Sequence, residues 1–434
     1  MTRNNDEGKP HVTDPVVITG AGIITALGDT VSDIWSALHR GISGINSFEH
    51  AGQPPCTAAV VQDFDPAGLG IHPRDARIMG KHTHMLIKAS RDAHHFARMQ
   101  NASLSPEDIG FYAGMGMVDY EIEDLLPAVL KSIGEDGSID YDRFYASAYQ
   151  EIHPLWPLFM LNNISFCQAA IGLEIRGENT VFSPHADSGA LAVVEGMRTL
   201  LDHKARIVIA GGVSETVSPL SLARGTFFDI LAPETDSIAL CSPFGNNRQG
   251  TVLGEGCGMI SMELRSHADE RGAAYSTMIS GYGISCSKDA EVNCPSIYGI
   301  KTAMQQALEA AEVRPRDIDV IIAHGDGTQQ GDRNEAEAIN EVFLESPVQP
   351  VVYASKAALG HLLAGAAPVD IILGSRMIEQ KSIPPVAGSY FPDSTLRVNL
   401  IKDLPLFAKT RRVMINAFSY EGQCSSLIIE AVRV

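Results

Sequence analysis

Apolar runs of strand length alternate with amphipathic stretches along almost the whole chain. The runs predict buried strands because they are short and rich in β-branched residues; they lie at 16–20, 206–212, 319–325, 350–353 and 412–415. Apolar residues spaced three and four apart predict helices at 30–38, 298–311 and 335–343. Strands that alternate with helices in this way indicate an α/β fold.

The chain is predicted to contain two similar halves. A strand, a glycine-containing turn and a helix follow one another in each half, whereas no short repeat typical of solenoids or propellers is present. A charged stretch at 266–274 interrupts the apolar pattern, so the predicted units are 15–265 and 275–434. Residues 1–14 are polar and lack the apolar core of a signal peptide, and they are predicted to form a disordered tail.

The composition argues against several classes of function. The 52 acidic residues outnumber the 33 basic ones, and the net charge of −19 disfavours binding to nucleic acid or to an anionic membrane. The apolar runs are too short to span a bilayer, and we expect a cytoplasmic protein. The 7 cysteines include no CxxC pair, which indicates free, buried thiols and predicts no metal site. The Gly-x-Gly turn at 20–22 lacks the rest of a dinucleotide-binding motif.

Four segments combine candidate acid–base residues with small residues. They are Ser-Pro-His-Ala-Asp-Ser-Gly at 183–189, Ala-His-Gly-Asp-Gly-Thr at 323–328, Ser-Lys-Ala-Ala-Leu-Gly-His-Leu at 355–362 and Asn-Ala-Phe-Ser-Tyr-Glu-Gly-Gln-Cys at 416–424. His324 alone could be a core histidine at a strand end, but its spacing to Lys356 and His361 favours a functional group. The small residues after His361 predict that it begins a packed helix, whose dipole would lower the histidine pKa.

These segments resemble the β-ketoacyl synthases, the condensing enzymes of fatty acid and polyketide assembly. The resemblance extends from Val16 to about Ile429 and implies a thiolase-like, five-layered αβαβα fold with two duplicated halves that forms a dimer. It also implies that His324 and His361 promote decarboxylation of a malonyl extender, with Lys356 supporting the electrostatics. No cofactor is implied, because the substrate is carried on the phosphopantetheine of an acyl carrier protein.

The resemblance also reveals a missing nucleophile. Ala186 occupies the position where these enzymes carry a cysteine, and a methyl group has no lone pair with which to form a thioester. Ser188 lies two positions after Ala186 and Cys424 lies in the segment at 416–424, but neither stands where the family's nucleophile would. An engineered cysteine-to-alanine change would look the same at this one position.

Two further segments depart from the family pattern. On the implied pantetheine route Thr328 matches, but Asp326 replaces a threonine and adds a negative charge close to His324. In the loop that gates the acyl pocket and adjoins the oxyanion hole, one residue matches and three differ: Phe418, followed by Ser419, Tyr420 and Glu421. The loss of two glycines there predicts a fixed loop, because glycine supplies the mobility that a gate requires.

Within the family, the chain is most similar to the chain-length factor, or ketosynthase β subunit, of type II polyketide synthases. This similarity implies a heterodimer with a Cys-bearing ketosynthase α subunit, whose acyl tunnel the present chain would close. The predicted tunnel and interface residues are Met117, Tyr120, Trp156 and Phe159, although Trp156 could instead fill a vestigial pocket of its own subunit. Residues 121–150 are longer than in the family and are predicted to form a surface excursion near the dimer contact.

Three functions remain open from the sequence. The first is a non-catalytic chain-length factor, in which case the acidic chain leaves docking of the acyl carrier protein mainly to its partner. The second is a decarboxylase that converts malonyl carrier protein into a starter unit, because decarboxylation needs no nucleophile. The third is an ordinary β-ketoacyl synthase whose nucleophile has been mutated to alanine.

Overall fold

The computed structural model describes residues 14–49, 56–62, 67–99, 104–117, 119, 122–233, 241–388, 391–402 and 404–432. Residues 1–13 of the predicted tail lie outside this range, and the Asp14 carboxylate accepts a hydrogen bond from the Ser266 N–H. The elements of the first half are β1 Val16–Thr25, α1 Val31–His39, β2 Asn46–Phe48, β3 Cys56–Ala58, α2 Pro73–Ala76, α3 Lys81–Phe96, β4 Ile109–Met115, α4 Ile122–Ser132, α5 Tyr141–Ala146, α6 Trp156–Phe159, α7 Asn162–Gly172, β5 Asn179–Phe182, α8 Ser188–Leu201, β6 Ile207–Ser214, α9 Pro219–Phe227 and β7 Gly256–Leu264.

The second half continues without a break in the pattern. Its elements are α10 Arg265–Glu270, β8 Thr277–Cys286, α11 Ile297–Ala310, β9 Val320–Ile322, α12 Gln329–Val342, β10 Val351–Tyr353, α13 Lys356–Leu359, α14 Ala366–Gln380, β11 Ser382–Ile383, β12 Leu406–Phe407, β13 Arg412–Phe418 and β14 Gln423–Ala431. The strands and helices predicted from apolar periodicity are present. The helix expected at 335–343 is the later part of α12, which begins earlier because Thr328 caps it by accepting the Gly331 N–H.

The two halves share one strand order. In the described part of the chain, ten strands form a mixed sheet in the order β10-β9-β13-β14-β8-β1-β7-β6-β4-β5. When the five strands of each half are numbered along the chain, both halves of the sheet have the strand order 3-2-4-5-1. In both, the fifth strand runs antiparallel to its two neighbours and the second runs parallel to its own. A short β1–β8 ladder joins them.

Helices divide this sheet into layers. The outer face of the first half is covered by α3, and that of the second half by α11, against which α12 packs. Between the halves lie α8 and α14, which contact each other and strands of both halves. The predicted five-layered αβαβα architecture is therefore confirmed.

A close contact in the central layer brings the two halves together at one place. A Cβ on Gly189, in the first turn of α8, would lie 2.1 Å from the carbonyl oxygen of Ala364. Because no side chain fits there, the start of α8 rests directly on the turn that follows His361. The strand-to-helix segment at 183–188 is thereby placed beside the histidine-bearing segments of the second half.

Two sequence-based expectations about the rest of the chain can be compared with the structure. The seven cysteines all lie in the described ranges and form no disulfide, but Cys167 and Cys286 are exposed, whereas buried thiols were expected. No helix in the described ranges is long and apolar enough to cross a membrane.

Candidate active site

Three titratable side chains of the second half converge at the end of its sheet. His324 follows β9, Lys356 opens α13, and His361 follows the turn at Gly360, whose φ of 68° suits glycine. All three are buried, with exposures of 7%, 1% and 0%. The rings of the two histidines lie 5.1 Å apart between centroids, nearly perpendicular. The structure therefore brings together the three residues that the sequence spacing singled out.

The hydrogen bonds of the two histidines fix their tautomers. Nδ1 of His324 accepts the Phe418 N–H at 3.2 Å, and Nδ1 of His361 accepts the Leu363 N–H at 3.1 Å. When the rings are neutral, both protons must therefore be on Nε2. The Nε2 atom of His361 is buried without a hydrogen-bond partner among the described residues. The site thus offers two imidazole N–H donors on buried, adjacent rings.

Both histidines are held neutral. Burial, and then the positive charge of Lys356, lower the pKa of each well below its ordinary value, with His361 adding to the effect on His324. The helix-dipole explanation for His361 is wrong, because α14 begins only at Ala366 and His361 lies in the extended segment that bridges to Leu253. The expected direction of the shift was right, but burial is its main cause.

Lys356 lies among buried carboxylates. Its Nζ donates to the His324 carbonyl oxygen, and its charge opposes the effect of burial on Glu335 and Asp370. Glu335 accepts the backbone N–H groups of His324 and Gly325 at 2.9 and 2.8 Å. Burial raises the pKa of Asp370 to about 6. Lys356 and Glu335 therefore fix the backbone of His324 and Gly325 at the end of β9.

Asp326 and Thr328 form part of the same ionic region. One Asp326 carboxylate oxygen accepts both the N–H and the hydroxyl of Thr328, at 2.9 and 2.8 Å. The other lies 4.0 Å from His324 Nε2. Burial raises the pKa of Asp326. The replacement of the family's threonine thus places a carboxyl group, 3% exposed, beside the histidine N–H.

The first half contributes the strand-to-helix segment that contains Ala186. Ala186 is 6% exposed, and the next residue, Asp187, is the N-cap of α8 and is completely buried. The Asp187 carboxylate accepts the hydroxyls of Ser419 and Ser425, each at 3.1 Å. Burial is the main cause of a raised Asp187 pKa. The position of the family's nucleophile therefore holds only the methyl group of Ala186, and the next residue, Asp187, is hydrogen-bonded to the β13–β14 hairpin.

That hairpin is the segment that resembles the acyl gate. The Ser419 and Gln423 backbone groups close it with a hydrogen bond of 2.9 Å, and Gly422 has a φ of 101°. A second tie to the Ala186 segment is the pair between His185 Nδ1 and a Glu421 carboxylate oxygen, 3.3 Å apart. Positions 187 and 185 therefore contact positions 419 and 421 of the hairpin, respectively.

Tyr420 reaches from the hairpin toward the histidines. Its ring centroid lies 5.9 Å from that of His361, and its hydroxyl is buried without a hydrogen-bond partner in the described part of the chain. Burial, followed by the charges of Asp326 and Glu421, raises its pKa well above the ordinary value. Tyr420 therefore stays a neutral phenol next to the two imidazoles. Phe418 is buried with its ring 5.2 Å from His324.

The predicted tunnel residues are only partly covered by the structure. Met117 is 47% exposed, and Trp156 is half-buried at the start of α6. Tyr120 lies outside the described residues, as does the side chain of Phe159. Neither potential substitute nucleophile is suited to the role: Ser188 is 1% exposed within α8, and burial raises the pKa of Cys424 to about 12.

Two groups of the site escaped the sequence analysis. Asp187 was seen only as the residue after the empty slot, although a carboxylate there with serines at two hairpin positions could have suggested contact. Asp370 was not singled out, and its signal is an acidic residue within the apolar first half of α14.

Comparisons with known proteins agree with this arrangement. Models of the β-ketoacyl synthase N-terminal and C-terminal domains match residues 13–268 and 276–389. A 3-oxoacyl-[acyl-carrier-protein] synthase 2 of Coxiella burnetii is 27% identical over 422 residues, 96% of this chain and 98% of the relative. Among solved structures, the ishigamide ketosynthase/chain length factor covers 97% of this chain and 100% of its own, with a TM-score of 0.83 and 27% identity. A chain in the structure of a type II PKS acyl-carrier protein in complex with its ketosynthase has the same fold, with a TM-score of 0.79 and 21% identity.

Proposed function

Because this chain belongs to the β-ketoacyl synthase family, we propose that it acts as a chain-length factor. In this role it is a non-catalytic subunit that pairs with a Cys-bearing ketosynthase during decarboxylative Claisen condensation in type II polyketide or fatty-acid-like synthesis. The observation that carries the proposal is Ala186, buried just before α8 although the family's two histidines and lysine are retained at His324, His361 and Lys356. The similarity to the ishigamide ketosynthase/chain length factor supports it.

The contacts around Ala186 favour a natural loss of the nucleophile over a single engineered change. Asp187 is bonded to Ser419 and Ser425, and His185 is paired with Glu421. A gate that must swing cannot keep these bonds. The departures at the slot and at the gate therefore support each other, and one point mutation does not account for them.

A malonyl carrier-protein decarboxylase is the second candidate. Its support is the pair of neutral histidines, His324 and His361, whose rings lie 5.1 Å apart and each present an Nε2–H donor. Such donors can stabilise the enolate that forms when the bond to the malonyl carboxylate breaks and CO₂ leaves, after which the carbon takes up a proton. Asp326 opposes this reaction, since its carboxyl group lies 4.0 Å from the His324 donor.

The two candidates can be separated with malonyl-loaded acyl carrier protein and mass spectrometry. The chain is incubated alone and together with a candidate Cys-bearing ketosynthase, which the proposal expects to be encoded in a neighbouring reading frame. A chain-length factor is expected to form a 1:1 complex, to be inert alone and to set product length in the complex. Conversion of malonyl to acetyl carrier protein by the chain alone, lost in a His361→Asn variant, would favour the decarboxylase instead.

An Ala186→Cys variant tests the third reading. If only one residue had been altered, the restored thiol at the start of α8 would be acylated by an acyl carrier protein at the rate of an ordinary synthase. We expect no acyl-enzyme by mass spectrometry, because the hairpin stays bonded to Asp187. Rapid acylation of the new cysteine in this single variant would instead support the hypothesis of an ordinary synthase whose nucleophile has been mutated.

A further inference from the structure

Three side chains of the first half, apart from the segment around position 186, form a hydrogen-bonded chain of serine, histidine and glutamate. His82 lies in the first turn of α3, Ser165 near the start of α7, and Glu215 directly after β6. The Ser165 Oγ lies 2.8 Å from Nε2 of His82, and Nδ1 of the same ring lies 2.9 Å from a Glu215 carboxylate oxygen. Only the fold brings them together, since Ser165 and Glu215 are 83 and 133 residues from His82 in the sequence.

The hydrogen bonds of this chain run in one direction when the imidazole is neutral. A carboxylate can only accept, so the ring proton is on Nδ1 and Nε2 is the acceptor. Ser165 then donates its hydroxyl proton to Nε2, while its oxygen accepts the hydroxyl of Thr83 at 2.8 Å. Burial by itself would raise the pKa of Glu215, but the interactions with His82 outweigh it and the pKa is lowered, so the carboxylate stays ionised. A serine that donates to an imidazole oriented by a carboxylate has the arrangement of an activated nucleophile.

The start of α3 makes room for the imidazole. Gly80 is the N-cap of this helix, and a Cβ on it would lie 2.8 Å from Cε1 of His82. The φ of Gly80 is −77°, which other residues adopt as well. A side chain at position 80 would therefore displace the ring without straining the backbone. The Glu215 carboxylate oxygen that meets the ring also accepts the His82 backbone N–H at 2.9 Å, so the same group orients the imidazole and the helix start.

Ser165 combines low exposure with apolar surroundings. It is 6% exposed, the same value as Ala186, where the family carries its cysteine, and His82 is 8% exposed. The next residue of α7, Phe166, belongs to the apolar core of the first half and stacks on Phe111 with ring centroids 4.7 Å apart. Burying polar groups beside such a core costs free energy that apolar side chains would not cost. Packing alone therefore does not explain the polar chain, and the surroundings suit a small apolar acyl group.

We propose that Ser165, His82 and Glu215 form an active site, separate from position 186, that hydrolyses small acyl esters or thioesters. The Ser165 Oγ attacks the acyl carbonyl carbon while His82 Nε2 takes the hydroxyl proton; the bond to the leaving alcohol or thiol then breaks, and His82 returns the proton to it. Water next attacks the acyl–serine ester, its proton passes through His82 to the Ser165 oxygen, and the carboxylic acid leaves. Glu215 is a positioning residue that acts through the imidazole. This site is independent of the proposed function, because Ala186 takes no part in it.

The test treats the unmodified folded chain with phenylmethylsulfonyl fluoride and locates the adduct by peptide mass spectrometry. The serine oxygen displaces fluoride from sulfur, so sulfonylated Ser165 is the expected product. Turnover is measured with p-nitrophenyl acetate. His82→Gln should slow both reactions at least about a hundredfold, because the general base is lost. The matched control is Ser132→Ala, which removes another buried hydroxyl, one that donates to the Ala128 carbonyl oxygen, and it should change neither rate.

Two further variants distinguish an effect on catalysis from an effect on folding. Gly80→Ala keeps all three side chains but displaces the imidazole, so sulfonylation should fall at least about tenfold while Tm is unchanged. Glu215→Gln should lower kcat for p-nitrophenyl acetate at least about tenfold and leave KM unchanged. Partial unfolding would not produce that split, since the remaining folded molecules would react at the normal rate and the variant would show a lower Tm.

The opposite results are equally specific. Absence of an adduct on Ser165 in the folded chain overturns the proposal, and so does an adduct that forms equally fast in urea, because the reactivity would then be that of any serine. Equal rates in His82→Gln and in the Ser132→Ala control would show that the three side chains are a hydrogen-bonding network without catalytic function. None of these results depends on whether the chain pairs with a ketosynthase, so the proposed function and this site stand or fall separately.

Discussion

The two halves of the molecule share a strand order but hold their functional groups in different ways. In the second half, His324, Lys356 and His361 are enclosed with buried carboxylates, and Glu335 also caps backbone N–H groups at the end of β9. In the first half, Ala186 is held in place by neighbouring hydroxyl–carboxylate bonds and a surface ion pair. The ionic groups of the second half stabilise the backbone at the end of β9, whereas a nucleophile at position 186 would stabilise no other part of the fold. Retained histidines and lysine are therefore weak evidence of catalysis.

The two edges of the ten-stranded sheet also differ, in how far the chain itself covers them. The outer edge of β10 is bridged by Leu400 of the same chain. The corresponding strand of the first half, β5, pairs only with β4 in the described part of the chain, and Asn179 and Thr180 are exposed. The outer edge of the second half is covered by its own chain, whereas that of the first half is open among the described residues.

Replacing Lys356 with methionine should have the largest effect on stability. Buried carboxylates, Glu335 and Asp370 among them, would lose their compensating charge, and breaking such a group costs about 3–5 kcal/mol of unfolding free energy. Chemical denaturation measures it. Lys301→Met is the control, because Lys301 is an exposed partner of Glu341 and its loss should cost under about 1 kcal/mol. Equal effects at the two lysines would mean that the second half does not depend on its buried charges.

Replacing Asp187 with alanine should cost about 2–3 kcal/mol, because the buried hydroxyls of Ser419 and Ser425 lose their acceptor. Amide hydrogen exchange in the hairpin turn at 419–422 should also accelerate. Asp202→Ala, at the exposed other end of α8, is the matched control and should leave exchange unchanged. Unaltered exchange in the Asp187 variant would show that the hairpin is not held through this residue.

The difference between the halves also explains what the sequence could predict. His324, Lys356 and His361 were found because each lies within a few residues of a strand end or a tight turn, where local pattern is informative. The Asp187 contacts were not, since Ser419 and Ser425 are 232 and 238 residues away and depend on the register of β14 against β8. The cause of the His361 pKa shift was also misjudged, because burial is a property of the packed molecule.

The neutral histidines predict a pH dependence of stability. The pKa of His361 is lower in the folded chain than its ordinary 6.5, so below that pH the unfolded chain binds a proton that the folded chain does not. Its contribution is complete above pH 6.5 and is lost as the pH falls, at about 1.4 kcal/mol per pH unit. His361→Asn, which keeps an acceptor for the Leu363 N–H, should remove the part of the pH dependence that His361 contributes and leave the part from His324. The raised pKa of Asp187, Asp326 and Asp370 gives the opposite trend in both proteins and cancels in the difference.

The measurement is the unfolding free energy of both proteins between pH 5 and 7.5. Exposed His95, changed to glutamine, is the control and should leave the slope of the parent chain. Parallel curves for the parent and His361→Asn would mean that the histidine is not held neutral by burial.

The smallest effect is expected at the surface tie of the first half. His185 and Glu421 lie 3.3 Å apart with side chains 33% and 49% exposed, so solvent screens the pair and its coupling should stay below about 1 kcal/mol. A double-mutant cycle of His185→Gln and Glu421→Gln, measured by denaturation, isolates it. The coupling should shrink at high salt. A coupling comparable to the Lys356 effect would mean that the first half is also held by charge, and the contrast between the halves would be lost.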